Sequence, residues 1–293
     1  MTNQNKILNL NTMKSTKVRK SIADVLCLIF VIILAIGVLT PLWFIVRGSL
    51  IDSQGIFRWP LTFLPDQWLW SNYNHNPIMF DYFLYLGNTM KIVIPTVVFG
   101  TSTAIIVAYP LARLRFKGKN LIFALCVGSM LLPGMVTLIP LYLGWSTLGL
   151  VGTYYPLILP YLTGGGAFHI FLLRQFMLSI PRDFDEAAMI DGAGYFRIVT
   201  QIIVPMIKPA IIVVGLLIFI LNYNDLLGQM IYIGGRKDMF TLALGITTFL
   251  GNLKGDFSGM FAAAVLTFLP TVLVFLFGQR FFVEGIVMSG IKN

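Results

Sequence analysis

Two short groups of polar residues have the types and spacing that could do chemistry in this chain. The first occupies residues 186–192 (EAAMIDG) and continues to residues 202–205 (IIVP). The second surrounds Asp225, a carboxylate within a long apolar stretch. Acidic residues at a helix start, followed by small alanines, favour close docking of another protein. A carboxylate within an apolar segment favours polar contact with a solute or a neighbouring helix. The chemistry predicted here is therefore binding.

Catalytic and cofactor chemistry has no matching pattern in the sequence. His75 and His169 each lack a second ligand at metal spacing, and there is no HExxH motif. Residues 117–120 (KGKN) lack the upstream glycine and the final Ser or Thr of a phosphate loop. We predict that this chain is not an enzyme and binds no cofactor. Any ATP and Mg²⁺ are then expected on another polypeptide.

The composition indicates a polytopic membrane protein. Hydrophobic residues make up 57% of the 293 residues and charged residues only 11%, far from the usage of soluble domains. Several apolar runs reach the roughly 20 residues that a helix needs to cross the bilayer. The net charge of +9 comes from basic residues beside apolar runs, where membrane orientation explains them. No nucleic-acid partner is predicted.

The apolar runs predict about six transmembrane helices in an all-α fold, because lone strands leave their backbone groups unpaired in lipid. Arg113, Arg115, Lys117 and Lys119 follow the second run and favour a cytoplasmic loop there. Both chain ends are then cytoplasmic: a tail at 1–21, a transmembrane region at 22–282 and a tail at 283–293. The predicted spans are residues 22–46, 88–112, 121–143, 156–173, 209–233 and 257–278.

The polar segment at 175–208, between the fourth and fifth spans, predicts a helix, a turn and a second helix. Pro181 suits the first helical position, and Gly192 suits a left-handed cap. A helical pattern resumes at Tyr195 and continues to Val204, until Pro205 and Pro209 are expected to break it. Ala187 and Ala188 would give a low surface for a docking protein. The alternative is an amphipathic helix lying on the membrane.

This segment resembles the coupling loop of binding-protein-dependent ABC importers. The loop pattern is Glu-Ala-Ala, three residues, Gly, nine residues and then Ile-x-Leu-Pro. The chain matches it at 186–188, at Gly192 and at 202–205, with Val204 in place of leucine.

Further stretches resemble the carbohydrate-type permeases, and in particular the six-helix, MalG-like subunit of maltose-type importers. They favour a sugar or oligosaccharide over amino acids, metals or phosphate as the solute. Residues 222–225 (NYND) resemble a Trp-Asn-Asp motif, with Tyr223 for the tryptophan. The other stretches are 108–118 (AYPLARLRFKG), 170–181 (IFLLRQFMLSIP) and 282–292 (FVEGIVMSGIK).

The resemblance implies a bacterial cytoplasmic-membrane permease that forms half of a translocation pathway. Its implied partners are a second permease subunit (MalF-like), an ATP-binding subunit dimer and an extracytoplasmic solute-binding protein, besides membrane lipid. The residues implied in ATPase coupling are Glu186, Ala187, Ala188, Asp191, Gly192, Gly194 and Pro205. The candidate pathway residues are Asn222, Tyr223, Asn224 and Asp225.

Several alternatives remain open from the residues alone. The group around Asp225 can equally be polar contact between helices. Trp59, Trp68 and Trp70 fit interfacial anchors, with docking of an external partner as the alternative. A permease for a non-sugar solute and a stand-alone secondary transporter are the other functions considered. A secondary transporter would need ion-coupling residues in mid-membrane, where Asp225 stands nearly alone.

Overall fold

The computed structural model describes the backbone of residues 3–60, 62–74, 81–250 and 256–290, and side chains between 24 and 281 within those ranges, Leu250 excepted. All regular structure in these ranges is helical. Short 3₁₀ turns lie at Gly55–Phe57, Trp70–Tyr73, Leu159–Thr163 and Lys237–Met239, and a π-helical turn lies at Val199–Ile203. The α-helices are α1 (Asn3–Gly48), α2 (Tyr82–Arg113), α3 (Lys119–Ser129), α4 (Gly134–Thr147), α5 (Tyr155–Ile158), α6 (Ala167–Ser179), α7 (Asp183–Ile190), α8 (Tyr195–Ile198), α9 (Val204–Met206), α10 (Lys208–Tyr223), α11 (Leu227–Ile233), α12 (Leu242–Leu250) and α13 (Phe257–Gly290).

The predicted fold class is confirmed: the described chain is helical and carries four to six helices that could span a membrane. Four of these candidate spans are Asp24–Gly48, Tyr82–Arg113, Tyr155–Ser179 and Phe257–Phe281. The third contains α5, the 3₁₀ turn after it and α6. Two more are bent pairs, α3 with α4 and the Tyr195–Met206 stretch with α10. The boundaries and cytoplasmic sides of the predicted tails stay predictions, and His75 and residues 291–293 lie outside the described ranges.

Each bent pair turns at a defined break. The α3–α4 pair turns by 98°. Pro133 has an extended backbone and is the N-cap of α4. Proline is tolerated at this position because its missing N–H removes no helical hydrogen bond. Pro140, by contrast, lies inside α4. The second pair turns by 82° at Ile207, immediately before the Lys208 start of α10.

The chain forms two compact units. The smaller contains residues 1–75 and 256–265. In it, the end of α1 is fixed by the following loop: Leu69 donates its backbone N–H to the Leu50 carbonyl at 2.8 Å. The Asn72 amide donates to the carbonyls of Ser49 and Ile51 at 3.0 and 2.9 Å. These bonds satisfy carbonyls of the turn that follows α1 and hold the loop against it.

The larger unit contains residues 76–255 and 266–293 and is centred on α2, which packs against α6 and α10. Small fully buried side chains, such as Ala104, Ala108 and Ala210, let these helices approach closely. The Gly164–Gly165–Gly166 run interrupts the helical structure before α6 and packs against α2. A Cβ placed on Gly165 would lie 2.7 Å from the Gly100 carbonyl oxygen, and all three glycines have positive φ.

Candidate functional site

The first candidate site is the helix-turn-helix at α7 and α8, and its turn is built as predicted. Gly192 has φ +79°, the left-handed conformation in which a side chain is unfavourable. Its N–H donates to the Met189 carbonyl at 3.0 Å, and the Ala193 N–H donates to the Ala188 carbonyl at 2.9 Å. This pair of bonds is the Schellman motif, which ends α7 cleanly.

The start of α7 differs from the prediction. The helix begins at Asp183, so Pro181 precedes it by two residues and is not its first helical residue. Arg182 is the N-cap, and its carbonyl accepts the N–H groups of Asp185 and Glu186 at 2.9 and 3.1 Å. The first turn still contains the three predicted acidic residues, near the positive end of the helix dipole.

The two faces of α7 have different partners. Asp185 and Ala188, three residues apart, are buried against the chain's own core, at 5% and 7% exposure. The expectation that both alanines face a docking protein is therefore wrong for Ala188, which joins the core; Ala187 is exposed. The exposed side chains on α7 are Asp183, Phe184, Glu186, Ala187, Met189 and Ile190. We call these six residues the docking face, after the protein contact that the sequence predicts for this helix.

A buried ion pair attaches α7 to α2. The Arg113 Nε lies 3.3 Å from the Asp185 Oδ2, and the two side chains are 4% and 7% exposed. Burial raises the pKa of Asp185, and the guanidinium groups of Arg113 and Arg182 oppose this rise. The sequence offered no signal for the pair, because 72 positions separate its members and either residue also suits a surface.

Two further cations secure the same end of α2. The Lys119 ammonium donates to the carbonyls of Ala112 and Leu114 at 3.2 and 2.9 Å, and the Arg174 Nε donates to the Leu111 carbonyl at 2.9 Å. Cations at a helix C-terminus satisfy free carbonyls and complement the dipole. The end of α2, the end of α6 and α7 therefore form one connected block.

Beyond the turn, the helical stretch breaks at Ile207, between the two prolines predicted to break it. Pro205 lies within α9 and does not end the helical stretch, which continues to Met206. Its missing N–H is tolerated because it falls in the first turn of α9. Ile198 and Ile203 are fully buried, whereas Phe196 is 84% exposed. Asp191 and Gly194 are exposed in the turn.

The second candidate site surrounds Asp225, which lies at a break in the helix and not within it as expected. Helix α10 ends at Tyr223 and α11 begins at Leu227, so the predicted span at 209–233 is interrupted. The Asp225 Oδ1 accepts the Gly228 N–H at 2.9 Å. A carboxylate that caps a helix start is stabilising, which explains an acidic residue at this position.

Asn222 and Tyr223 make contacts between parts of the larger unit. The Asn222 amide donates to the Tyr161 hydroxyl and the Ile218 carbonyl, both at 2.8 Å. The Tyr223 hydroxyl donates to the Thr267 carbonyl at 2.6 Å, and this side chain is 1% exposed. These contacts support the inter-helix interpretation for both residues. Asn224 is exposed and bonds to its own helix.

Sequence reasoning missed a buried amide in the same region. Gln229 is 1% exposed; its amide donates to the Asn222 carbonyl at 3.2 Å, and its side-chain oxygen accepts a bond from Thr241. Through Asn222 the contacts extend to Tyr161. A glutamine in an apolar helix was the available signal, because a buried amide requires partners.

The Asp225 geometry gives a testable expectation. Asp225→Asn keeps an oxygen that can accept the Gly228 N–H, so we expect wild-type thermal stability and an unchanged KM for uptake. Asp225→Leu removes the cap and should lower the free energy of unfolding by about 1 kcal/mol. Thermal unfolding in detergent and vesicle uptake measure the two effects. A several-fold change in KM for Asp225→Asn would instead place this carboxylate in contact with the solute.

The described residues, helical throughout and with four to six candidate membrane spans, are those of a helical membrane protein. The chain is a member of the family described as binding-protein-dependent transport system inner membrane component, which matches residues 100–287. This family is a transport family and not a catalytic one. The predicted resemblance to ABC importer permeases is thereby confirmed.

Named relatives match along most of their length. The probable ABC transporter permease protein YurM of Bacillus subtilis (strain 168) is 31% identical over 90% of this chain and 87% of its own. The arabinooligosaccharides transport system permease protein AraQ of the same organism is 30% identical over 90% and 94%. The sn-glycerol-3-phosphate transport system permease protein UgpE of Yersinia pestis bv. Antiqua (strain Antiqua) is 31% identical over 91% and 96%.

A solved structure shows the same fold. It is a chain from the crystal structure of a bacterial ABC transporter involved in the import of the acidic polysaccharide alginate. That chain superposes with a TM-score of 0.75 at 22% identity, covering 89% of this chain and 97% of its own. At this identity the similarity concerns the fold alone.

Proposed function

We propose that this permease forms one half of the membrane pathway of a sugar or oligosaccharide importer. The stretch at 282–292 and the motif at 222–225 support a carbohydrate solute, as does the relative named for arabinooligosaccharides. The relative named for sn-glycerol-3-phosphate favours a second candidate, a phosphorylated polyol. Both solutes are hydroxyl-rich and would need polar contacts along the pathway.

The observation that carries the coupling role is the division of α7 into two faces. The docking face leaves apolar and acidic side chains uncovered, including Ile190 at 87% exposure. The opposite face is fixed to α2 through Asp185 and to the core through Ala188. A separate ATPase that binds the docking face can therefore move α2 as a rigid block. Such rigid-body motion at an interface is a common way to switch between two conformations.

The proposal requires a complex of several proteins. A second permease subunit would complete the pathway, a dimer of ATP-binding subunits would hold ATP and Mg²⁺, and a solute-binding protein would deliver the solute. Helices α3 and α4 contribute no buried side chain within the described chain, so their faces are open to a second subunit or to lipid. The docking face and both termini would then lie on the cytoplasmic side, and the loop after α1 on the outer side.

Gly192→Val tests the coupling role. Valine in the left-handed conformation costs about 1–2 kcal/mol, so the turn should distort. Because about 1.4 kcal/mol corresponds to a factor of ten, we expect about a tenfold loss of ATPase stimulation by the binding protein. The complex should still insert and assemble, because no atom lies within 4 Å of a Cβ on Gly192. Gly149→Val is the matched control, since Gly149 also has a left-handed backbone (φ +69°) with no atom within 4 Å of an added Cβ, but lies in the loop after α4. Normal stimulation of ATP hydrolysis in a well-assembled Gly192→Val complex would contradict the proposed docking site.

Uptake into proteoliposomes tests the solute and the class of transporter. The complete complex should accumulate an oligosaccharide such as arabinotriose only when ATP and the binding protein are present. Accumulation of sn-glycerol-3-phosphate without oligosaccharide uptake would establish the second candidate. Uptake by the isolated chain, driven by an ion gradient without an ATPase, would show a secondary transporter and refute the importer function.

A further inference from the structure

A polar cleft of about 440 Å³ lies in the smaller unit, in the loop that follows α1. The α7 docking face and the residues around Asp225 lie outside this unit. Besides the backbone of Gly55, the cleft is lined by apolar, aromatic and charged side chains. The charged and amide side chains are Arg47, Asp52, Arg58, Asp66 and Gln67.

Arg47 is the buried charge of this cleft. It lies in the last turn of α1 and is 4% exposed. Its Nη2 donates to the Thr62 hydroxyl at 2.7 Å, whereas its Nε has no partner among the described residues. No carboxylate pairs with it within ion-pair distance in the described chain. A buried guanidinium without a paired carboxylate is costly, and anionic oxygens in the cleft that Arg47 lines would stabilise its charge.

The charges around the cleft select the type of ligand. Two guanidinium groups, of Arg47 and Arg58, face the same space as two carboxylates, of Asp52 and Asp66. A simple anion would be repelled by the carboxylates, and a simple cation by the arginines. A ligand that carries both a phosphate and an ammonium group matches both pairs. Arginine binds phosphate oxygens bidentately, and a primary ammonium donates to carboxylates.

The position of the cleft, at the end of a membrane span, indicates the source of that ligand. The α1 span from Asp24 to Gly48 contains 25 residues, about 37 Å of helix against roughly 30 Å of hydrocarbon. None of its apolar window is buried within the chain. Arg47 at its end therefore lies at headgroup depth. Exposed aromatic side chains in the following loop, the interfacial pattern, are Phe57, Trp59, Phe63, Trp68 and Trp70.

We infer that this cleft binds the headgroup of a phospholipid with a phosphate and a primary amine, the chemistry of phosphatidylethanolamine. The phosphate is held by Arg47 and Arg58, and the ammonium by Asp52 and Asp66. The indole of Trp59, which lines the cleft and is 84% exposed, covers the glycerol region. The bound lipid fixes the loop against the end of α1.

Native mass spectrometry of the full chain, purified in detergent with equal amounts of phosphatidylethanolamine, phosphatidylglycerol and phosphatidylcholine, tests this site. We expect one retained phosphatidylethanolamine in preference to the other two lipids. Arg58→Gln and Asp66→Asn alter exposed residues and should each weaken retention by about tenfold or more, the loss of one charge-assisted hydrogen bond. Arg47→Gln should weaken it further if the variant folds.

The matched control is Arg236→Gln, which removes an equally exposed arginine from the larger unit, where it pairs with Asp238. It should leave lipid retention unchanged. Equal retention of the three lipids, a preference for phosphatidylglycerol, or equal losses in Arg58→Gln and Arg236→Gln would each overturn the inference. So would a change in tryptophan fluorescence on addition of maltotriose that Trp59→Phe abolishes, in the absence of lipid retention, since that would assign the cleft to a saccharide. The assay uses neither ATP nor solute-binding protein, so its outcome is independent of the transport proposal.

Discussion

Asp185→Ala is expected to lower the free energy of unfolding by about 3 kcal/mol, because removing one member of a buried ion pair leaves the other charge unpaired. The Arg113 side chain is only 4% exposed, and among the described residues Asp185 is its sole ionic partner. Thermal unfolding of the purified chain in nanodiscs measures the loss. Stimulation of ATP hydrolysis in the assembled complex should fall with it, because α7 would no longer be fixed to α2.

Asp183→Ala is the control for this variant, since Asp183 lies two positions earlier on the same helix and is exposed. Its substitution removes a similar charge at the helix start without unpairing a buried partner. The double variant Arg113→Met with Asp185→Leu removes both charges and should regain most of the stability, though not necessarily the coupling. Equal stability of Asp185→Ala and Asp183→Ala would refute a structural role for the ion pair.

Gly165→Ala is the second large expected effect and concerns the core of the larger unit. The added Cβ would lie 2.7 Å from the oxygen and 2.8 Å from the Cα of Gly100, and these backbone atoms cannot rotate away. The residue also has φ +66°. Left-handed strain and overpacking together should destabilise the fold by about 2–5 kcal/mol. Reduced yield of monodisperse protein and a lower unfolding temperature are the measurements.

Gly215→Ala provides the comparison, because Gly215, in α10, also packs against α2. A Cβ there would meet the Thr101 Cγ2 at 3.5 Å, an ordinary contact, and alanine favours helix over glycine. We expect stability equal to the wild type or slightly greater. If Gly165→Ala were as stable as Gly215→Ala, α2 and the glycine run would not approach as closely as described.

Local features were the most predictable from the sequence. The turn at Gly192 was correctly predicted because a left-handed cap is encoded by one residue type after a periodic helix. The membrane helices followed from apolar length, which the bilayer itself imposes. The interruption at Pro133 was not predicted, because a proline within an apolar run can equally lie inside a helix, as Pro140 does.

Contacts between distant residues were not predictable from one sequence. Asp185 was assigned to the helix dipole along with its acidic neighbours, and only its position relative to Arg113 shows that it faces inward. Ala188 was predicted to be available for docking, because the motif does not show which side of the helix faces the core. Asp225 was placed within a span because the apolar residues on both sides conceal the break that it caps.

The two-sided construction of α7 has a consequence for how such permeases diversify. The side chains that would contact the ATPase, such as Phe184 and Ile190, are exposed. The side chains that fix α7 to α2 and to the core, Asp185 and Ala188, are buried. Under the proposed coupling role, substitutions on the exposed side would change which ATPase binds, while the contacts of α7 with α2 stay intact. A permease would then adapt to a different ATPase through a few surface positions, with its interior unchanged.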